Sequence, residues 1–244
     1  MSDEIPLIVE NEGEVLTLSL NNLEKKNALT TEIMGALSAI LEDVENYDNL
    51  RVIVIRGNGS VFCSGADINT WNPEELQELL FSLSDCPVPT IAHLHGICFG
   101  GGMGIASACD FVIAEKGTKF GFPEVKLGMI PAVISPYVSR KVSIGRMREL
   151  FITGESFNVQ QAYDFGFLYS LEADIDKLIQ KIIQGGPLAQ SFIKKLLSEE
   201  IDRDYIDERD SHLAELITQI REGSEGQEGV AAFMQKRLPS WRKE

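Results

Sequence analysis

No stretch of the chain leaves the backbone fewer options than Thr90 to Asp110, TIAHLHGICFGGGMGIASACD. It reads as a buried strand (Ile91 to Leu94), a tight turn through Gly100, Gly101 and Gly102, and a helix of small residues running to Cys109. Glycines at a helix start expose N–H groups that have no intrahelical partner, so the loop is suited to negative charge, either a phosphate or an oxyanion. A second small-residue turn, Phe62-Cys63-Ser64-Gly65-Ala66-Asp67, follows the apolar run Val52 to Ile55. If the two turns face one another, two backbone N–H groups can converge on one oxygen, which would stabilise an enolate or a tetrahedral intermediate.

Two nucleotide-binding readings of the glycines fail or weaken. A P-loop needs Lys and Ser/Thr after its last Gly, and Met103-Gly104-Ile105 stand there instead. A dinucleotide fingerprint, G-x-G-x-x-G after a first strand, would have to end at Ser107, deep in the chain. Close helix packing remains an alternative use of the run.

The 244 residues, 44% of them hydrophobic, suffice for one large domain or a domain with a helical appendage. No apolar stretch approaches the roughly 18 to 20 residues that span a bilayer. The start MSDEIPLIVE is acidic where a signal peptide is basic and apolar, so a cytoplasmic protein with no membrane partner is expected. Cys63, Cys86, Cys98 and Cys109 lack CxxC spacing and sit among apolar or glycine residues, which points to buried free thiols and no disulfide or zinc. His93 and His95 share a strand face, but with no third ligand near them no metal is expected.

A formal charge of −15 repels nucleic acid and anionic membranes. An anionic ligand must therefore find local cations, and these are Lys25-Lys26, Lys236-Arg237 and Arg242-Lys243, unless those clusters are ordinary surface charge.

In chain order, residues 7–20 alternate as a hairpin around Asn11-Glu12-Gly13, and residues 21–29 are polar and loop-like. Thr30 or Thr31 caps a helix carrying Ile33, Met34, Leu37, Ile40, Leu41 and Val44 on one face. RVIVIR at 51–56 reads as an interior strand, Pro73 begins a helix that Pro87 and Pro89 close, and Phe111 to Ala114 is a further strand. This alternation argues for parallel βαβ units with ligands at the carboxyl ends of the strands. From Pro131 onward the segments 133–141, 145–153, 158–165, 174–184, 187–200, 203–222 and 225–237 read as helices. In the sixth, Tyr205, Ile206, Leu213, Leu216, Ile217 and Ile220 form a stripe suited to core or subunit contact.

KKNAL at 25–29, FCSGADI at 62–68, FGGGMG at 99–104, ACDFVIA at 108–114, FPEVKLGMIPA at 122–132 and EGQEGVAAFMQKRLPSW at 225–241 together resemble the crotonase (enoyl-CoA hydratase/isomerase) superfamily over nearly the whole chain. The resemblance implies an α/β fold: a β-β-α spiral core over 1–185 and a helical trimerisation region over 186–244, assembled as a homotrimer or a dimer of trimers. It also implies an acyl-CoA ligand and no cofactor beyond the coenzyme A carried by the substrate.

Carried over motif by motif, the oxyanion hole falls on the N–H groups of Ala66 and Gly101. The CoA-binding positions fall on Lys25, Lys26, Ala28, Ser64, Asp67, Ile68 and Gly100, with Phe233 and Lys236 reaching a neighbouring subunit's ligand. Hydratases of the family carry two glutamates. Here the first position is Gly104 and the second is Glu124. Two carboxylates share the proton work of typical hydration, whereas one can shuttle a proton between carbons, which is isomerisation, or pass it through the reacting water. The run LGMIPAVISPYVSR at 127–140 resembles a branch that hydrates with Gly at the first position. The reading is therefore hydration of a 2-enoyl-CoA, with isomerisation, thioester hydrolysis and non-catalytic acyl-CoA binding as alternatives. Asp67, Glu74, Glu75 and Glu78 are candidate substitute acids.

Overall fold

The computed structural model describes residues 6–70, 72–172, 174–199, 214–215 and 217–240, with no side-chain description for 198 and 199. Its main sheet has the order β1 (Leu7–Glu12), β2 (Val15–Leu20), β3 (Val52–Gly57), β4 (Thr90–Leu94), β6 (Phe111–Ala114). The hairpin β1–β2 is antiparallel with Glu12 opposite Val15, so it turns at Gly13-Glu14, slightly later than its sequence pattern suggests. From β2 onward every pairing is parallel.

β3 shows why this sheet sits inside. Ile53 and Ile55 face a cluster with Leu16, Leu18 and the helices α1 (Thr31–Glu42) and α2 (Pro73–Asp85), while Val52 and Val54 face Ile91, Ile113, Leu178 and Ile182 on the opposite side. A strand covered on both faces needs no polar alternation, hence the continuous run VIVI.

The helix starts follow local chemistry. Thr30 accepts from the Ile33 N–H and Asn72 from the Glu75 N–H, with Pro73 occupying the first turn of α2.

A smaller sheet, β5 (Ile97–Phe99), β7 (Lys119–Gly121) and β8 (Phe157–Asn158), was not apparent in the sequence. Its strands are two or three residues long, too short for a period to register. Its insertion corrects the reading of the glycine run. β5 stands between β4 and the helix α3 (Gly101–Ala108), so Gly101 and Gly102 are already helical and Gly100 alone makes the turn, at φ +50°. A β-carbon is disfavoured at that angle, which is why glycine stands there.

The remaining helices are α4 (Ser135–Val138), α5 (Ile144–Thr153), α6 (Val159–Asp164), α7 (Ile175–Ile183), α8 (Pro187–Glu199) and α9 (Ser224–Met234). The segment expected as helix over 133–141 is thus helical over only one turn, and Phe157–Asn158 is strand. Most of the stripe expected over 203–222 lies outside the described residues; Ile217, which is described, is buried. α8 leaves Leu188, Phe192, Ile193, Leu196 and Leu197 exposed.

α9 packs against the 3-10 helix Pro123–Leu127, and a β-carbon on Gly229 would overlap the Leu127 carbonyl. The two backbones touch with no side chain between them.

One buried polar residue organises the front of the chain. Asn27 is fully buried at φ +55°, donates to the Asn58 and Val61 carbonyls at 2.9 Å each, and accepts from the Asn22 N–H. Asn27→Ala leaves those groups unpaired and places alanine in the left-handed region, so a loss of about 3 kcal/mol is expected. Urea titration of the two proteins measures it.

Candidate active site

The two small-residue turns meet because the strand that precedes one pairs with the chain that precedes the other. The Cys63 N–H donates to the Ile97 carbonyl and the Cys63 carbonyl accepts from the Phe99 N–H, each at 3.1 Å, laying residues 62–63 beside β5. The chain then leaves this pairing at Ser64 on one side and Gly100 on the other. Gly65 and Ala66 are held from behind by residues 26–29: Leu29 N–H donates to the Gly65 carbonyl at 2.8 Å, Asp67 N–H to the Leu29 carbonyl at 2.9 Å, and Ser64 N–H to the Lys26 carbonyl at 3.1 Å. These bonds take the groups on either side of Ala66 N–H and leave that donor for the opposite side.

Ala66 N lies 3.4 Å from where a β-carbon on Gly101 would sit, and Gly101 N lies 4.0 Å from the corresponding point on Gly65. Among the described residues neither N–H donates to a carbonyl or side chain. The two amides are thus adjacent, and that of Gly101 stands at the start of α3, whose residues are buried throughout.

Glu124 arrives from a third segment. Gly100 N–H donates to the Gly121 carbonyl at 3.1 Å, which ties the glycine turn to the end of β7, and the 3-10 helix Pro123–Leu127 follows directly. Its carboxylate Oε1 stands 3.3 Å from the β-carbon position of Gly100, and its Oε2 is buried with no hydrogen-bond partner. Burial pushes the carboxyl up to about 7, with only its own backbone N–H acting in the other direction. No ion pair with Lys126 offsets this among the described residues.

These groups open onto one small cleft of about 80 Å³. Its walls are Leu76 of α2 and the apolar run from Met129 to Ile134, a contribution that sequence reasoning did not assign. The signal available for it was the uncharged run MIPAVI at 129–134, beginning five residues after Glu124.

Of the site residues expected from sequence, Ser64, Ala66, Ile68, Gly100, Gly101 and Glu124 line this cleft, whereas Lys25, Lys26, Ala28, Asp67, Phe233 and Lys236 do not. Asp67 is buried against Lys25 Nζ at 2.6 Å and accepts from both nitrogens of Asn69. Burial raises its pKa, but the Lys25 ammonium and the Asn69 bonds outweigh that and leave the carboxyl below its usual value. Asp67 therefore braces the turn from outside the cleft. Lys26 is exposed at φ +52°, Ala28 is buried, and Phe233 and Lys236 lie on and just after α9, with Phe233 57% exposed. Arg237 is committed to a two-pronged ion pair with Glu228, and Arg242-Lys243 lie outside the described residues.

None of the substitute acids Asp67, Glu74, Glu75 and Glu78 lines the cleft. Cys63, although next to the oxyanion turn, is fully buried with its thiol pushed up to about 12, which removes it as a nucleophile. His95 Nε2 is engaged with the Gly59 carbonyl at 3.1 Å.

A sequence profile described as Enoyl-CoA hydratase/isomerase matches residues 10–244. The chain belongs to the enoyl-CoA hydratase/isomerase family. It is 30% identical to the probable enoyl-CoA hydratase of Bacillus subtilis, over 94% of this chain and 96% of that protein. It is also 30% identical to the 2,3-dehydroadipyl-CoA hydratase of Escherichia coli, over 97% and 98% of the respective chains. Among solved structures, an enoyl-CoA hydratase from Mycobacterium avium superposes with a TM-score of 0.89 at 28% identity, covering 98% of this chain and all of that one. This enzyme of the hydratase/isomerase family therefore has the crotonase fold, and the family to which it belongs binds acyl-CoA substrates.

Proposed function

We propose that the protein adds water reversibly to a 2-enoyl-CoA thioester. The observation that carries this reading is Glu124: a buried carboxylate with one oxygen unpartnered, placed beside two free amides in an apolar cleft.

In this reading the thioester oxygen accepts from the N–H groups of Ala66 and Gly101. The Glu124 carboxylate removes a proton from water as the water oxygen bonds to Cβ of the enoyl group. The Cα=Cβ pair moves toward the thioester, and the negative charge collects on the oxygen held by the two amides. Glu124 then delivers its proton to Cα on the same face, which restores the carboxylate and completes a syn addition. No step needs a cofactor beyond the CoA of the substrate. The Bacillus subtilis and Escherichia coli relatives, both named as hydratases, support the choice.

Isomerisation of a 3-enoyl-CoA is the second reading, favoured by the presence of one carboxylate where typical hydratases use two. Absorbance of the conjugated enoyl thioester separates them: hydration removes the chromophore and isomerisation creates it. Release of free thiol would instead indicate hydrolysis, and tight binding without turnover a non-catalytic binder.

Because the carboxylate form is the base and burial pushes Glu124 up to about 7, kcat/KM is expected to rise with pH and level off above that value. A pH–rate profile that is flat from acid to alkaline pH would contradict this assignment of the base. Assembly as a homotrimer or a dimer of trimers in the cytoplasm belongs to the same proposal, and the exposed apolar residues of α8 are its support.

A further inference from the structure

Gly104 lies about one helical turn beyond Gly101, its N–H donating to the Gly100 carbonyl at 3.1 Å. A β-carbon there would stand 2.5 Å from Cγ2 of Ile134 and 3.2 Å from both Cβ of Ile134 and Cδ1 of Leu80. The place of the family's first glutamate is therefore occupied from outside the helix. Ile134 fills it from the residue preceding α4, and Leu80 of α2 closes it from behind.

Ile134 is 3% exposed, and its carbonyl accepts from the N–H groups of Tyr137 and Val138 at 3.2 and 3.1 Å, so its backbone is clamped at the start of α4. It also lines the cleft that holds Glu124, Ala66 and Gly101. Three residues of α-helix rise about 4.5 Å, so Gly104, against which Ile134 packs, lies about that far along α3 from Gly101.

We propose that Ile134, packed into the space left by Gly104, is the apolar stop that sets acyl-chain size in this enzyme. The inference rests on the acyl-CoA reading of the cleft. The stop admits short acyl chains and turns away long ones. The interlock with Gly104 fixes its position, because any side chain on residue 104 must push Ile134 out of its seat.

The test is kcat/KM for 2-enoyl-CoA thioesters of four, six, eight and ten carbons. Ile134→Ala is expected to raise the ten-carbon to four-carbon ratio by about tenfold or more, the usual scale for making or removing room for methylenes in an apolar pocket. Gly104→Ala is expected to lower the same ratio by driving Ile134 into the cleft, and the double variant to return toward the wild type. Calorimetric binding of the saturated acyl-CoA esters of the same lengths gives the series without turnover. Ile134→Val supplies a milder truncation should Ile134→Ala fail to fold.

A folded Ile134→Ala protein with an unchanged length profile in both assays overturns the stop. Wild-type protein that turns over none of the esters overturns the hydration reading, and the binding series then decides the stop independently.

Discussion

Glu124→Gln is expected to lower kcat by about a thousandfold and, at the same time, to flatten the fall in stability of the unliganded protein toward alkaline pH. The two effects have one cause. The carboxyl titrates near 4.5 when solvated and is pushed up to about 7 by burial in the cleft wall. The folded state therefore holds the proton more tightly than the unfolded state. The associated stability is fully present below about 4.5 and is lost as pH rises through about 7. A tenfold change in proton affinity corresponds to about 1.4 kcal/mol, so keeping the ionised group buried at pH 8 costs on the order of 3 kcal/mol. Glutamine has the same shape without the charge, so its denaturation midpoint should fall less between pH 5 and pH 8 than that of the wild type. The decisive quantity is the difference between the two pH slopes, since an unpaired amide has its own burial cost at every pH. Parallel stability curves, or turnover that survives the substitution, would remove Glu124 from the role of base.

Gly101→Pro should lower kcat by a factor of a hundred to a thousand while leaving the helix content unchanged. Gly101 is the first residue of α3, a position where proline is tolerated because its missing N–H has no intrahelical acceptor. The substitution deletes the one group that the proposed reaction needs there. Removing a single oxyanion donor typically raises the barrier by roughly 3 to 4 kcal/mol. Gly101→Ala is the companion. It keeps the N–H but brings a methyl to 3.0 Å from Leu29 Cδ1, which a flexible side chain can relieve, and to 3.4 Å from the Ala66 nitrogen, so its loss should be smaller than that of the proline variant. Stopped-flow hydration rates together with far-ultraviolet circular dichroism distinguish the two. A folded proline variant within threefold of the wild-type rate would mean that the Gly101 amide does not carry the developing charge.

The parts of the site that were legible in the sequence are those where chemistry requires a bare backbone. Ser64-Gly65-Ala66 and Gly100-Gly101 stand out because few other constraints call for consecutive small residues after an apolar run, and the structure brings these turns together. Glu124 was legible from the motif it occupies. The smaller sheet was not, since β8 is two residues long and its partner β7 lies far from it in sequence. The engagement of Lys25 with Asp67 was equally hidden. Both are charged residues in motifs assigned to ligand binding, and only their 2.6 Å contact shows that they are used on each other. The exchange at Gly104 was half visible. The missing glutamate could be read directly, but the occupant of its space comes from thirty residues further along.

The backbone contact between Gly229 and Leu127 ties the position of Glu124 to a distant part of the chain. The 3-10 turn that aims Glu124 has its far side covered by α9, with no side chain there to yield. Trimming the carboxyl terminus, fusing a tag to it, or enlarging residue 229 is thus expected to disturb the seat of the Glu124 carboxyl, even though no residue of α9 lines the cleft.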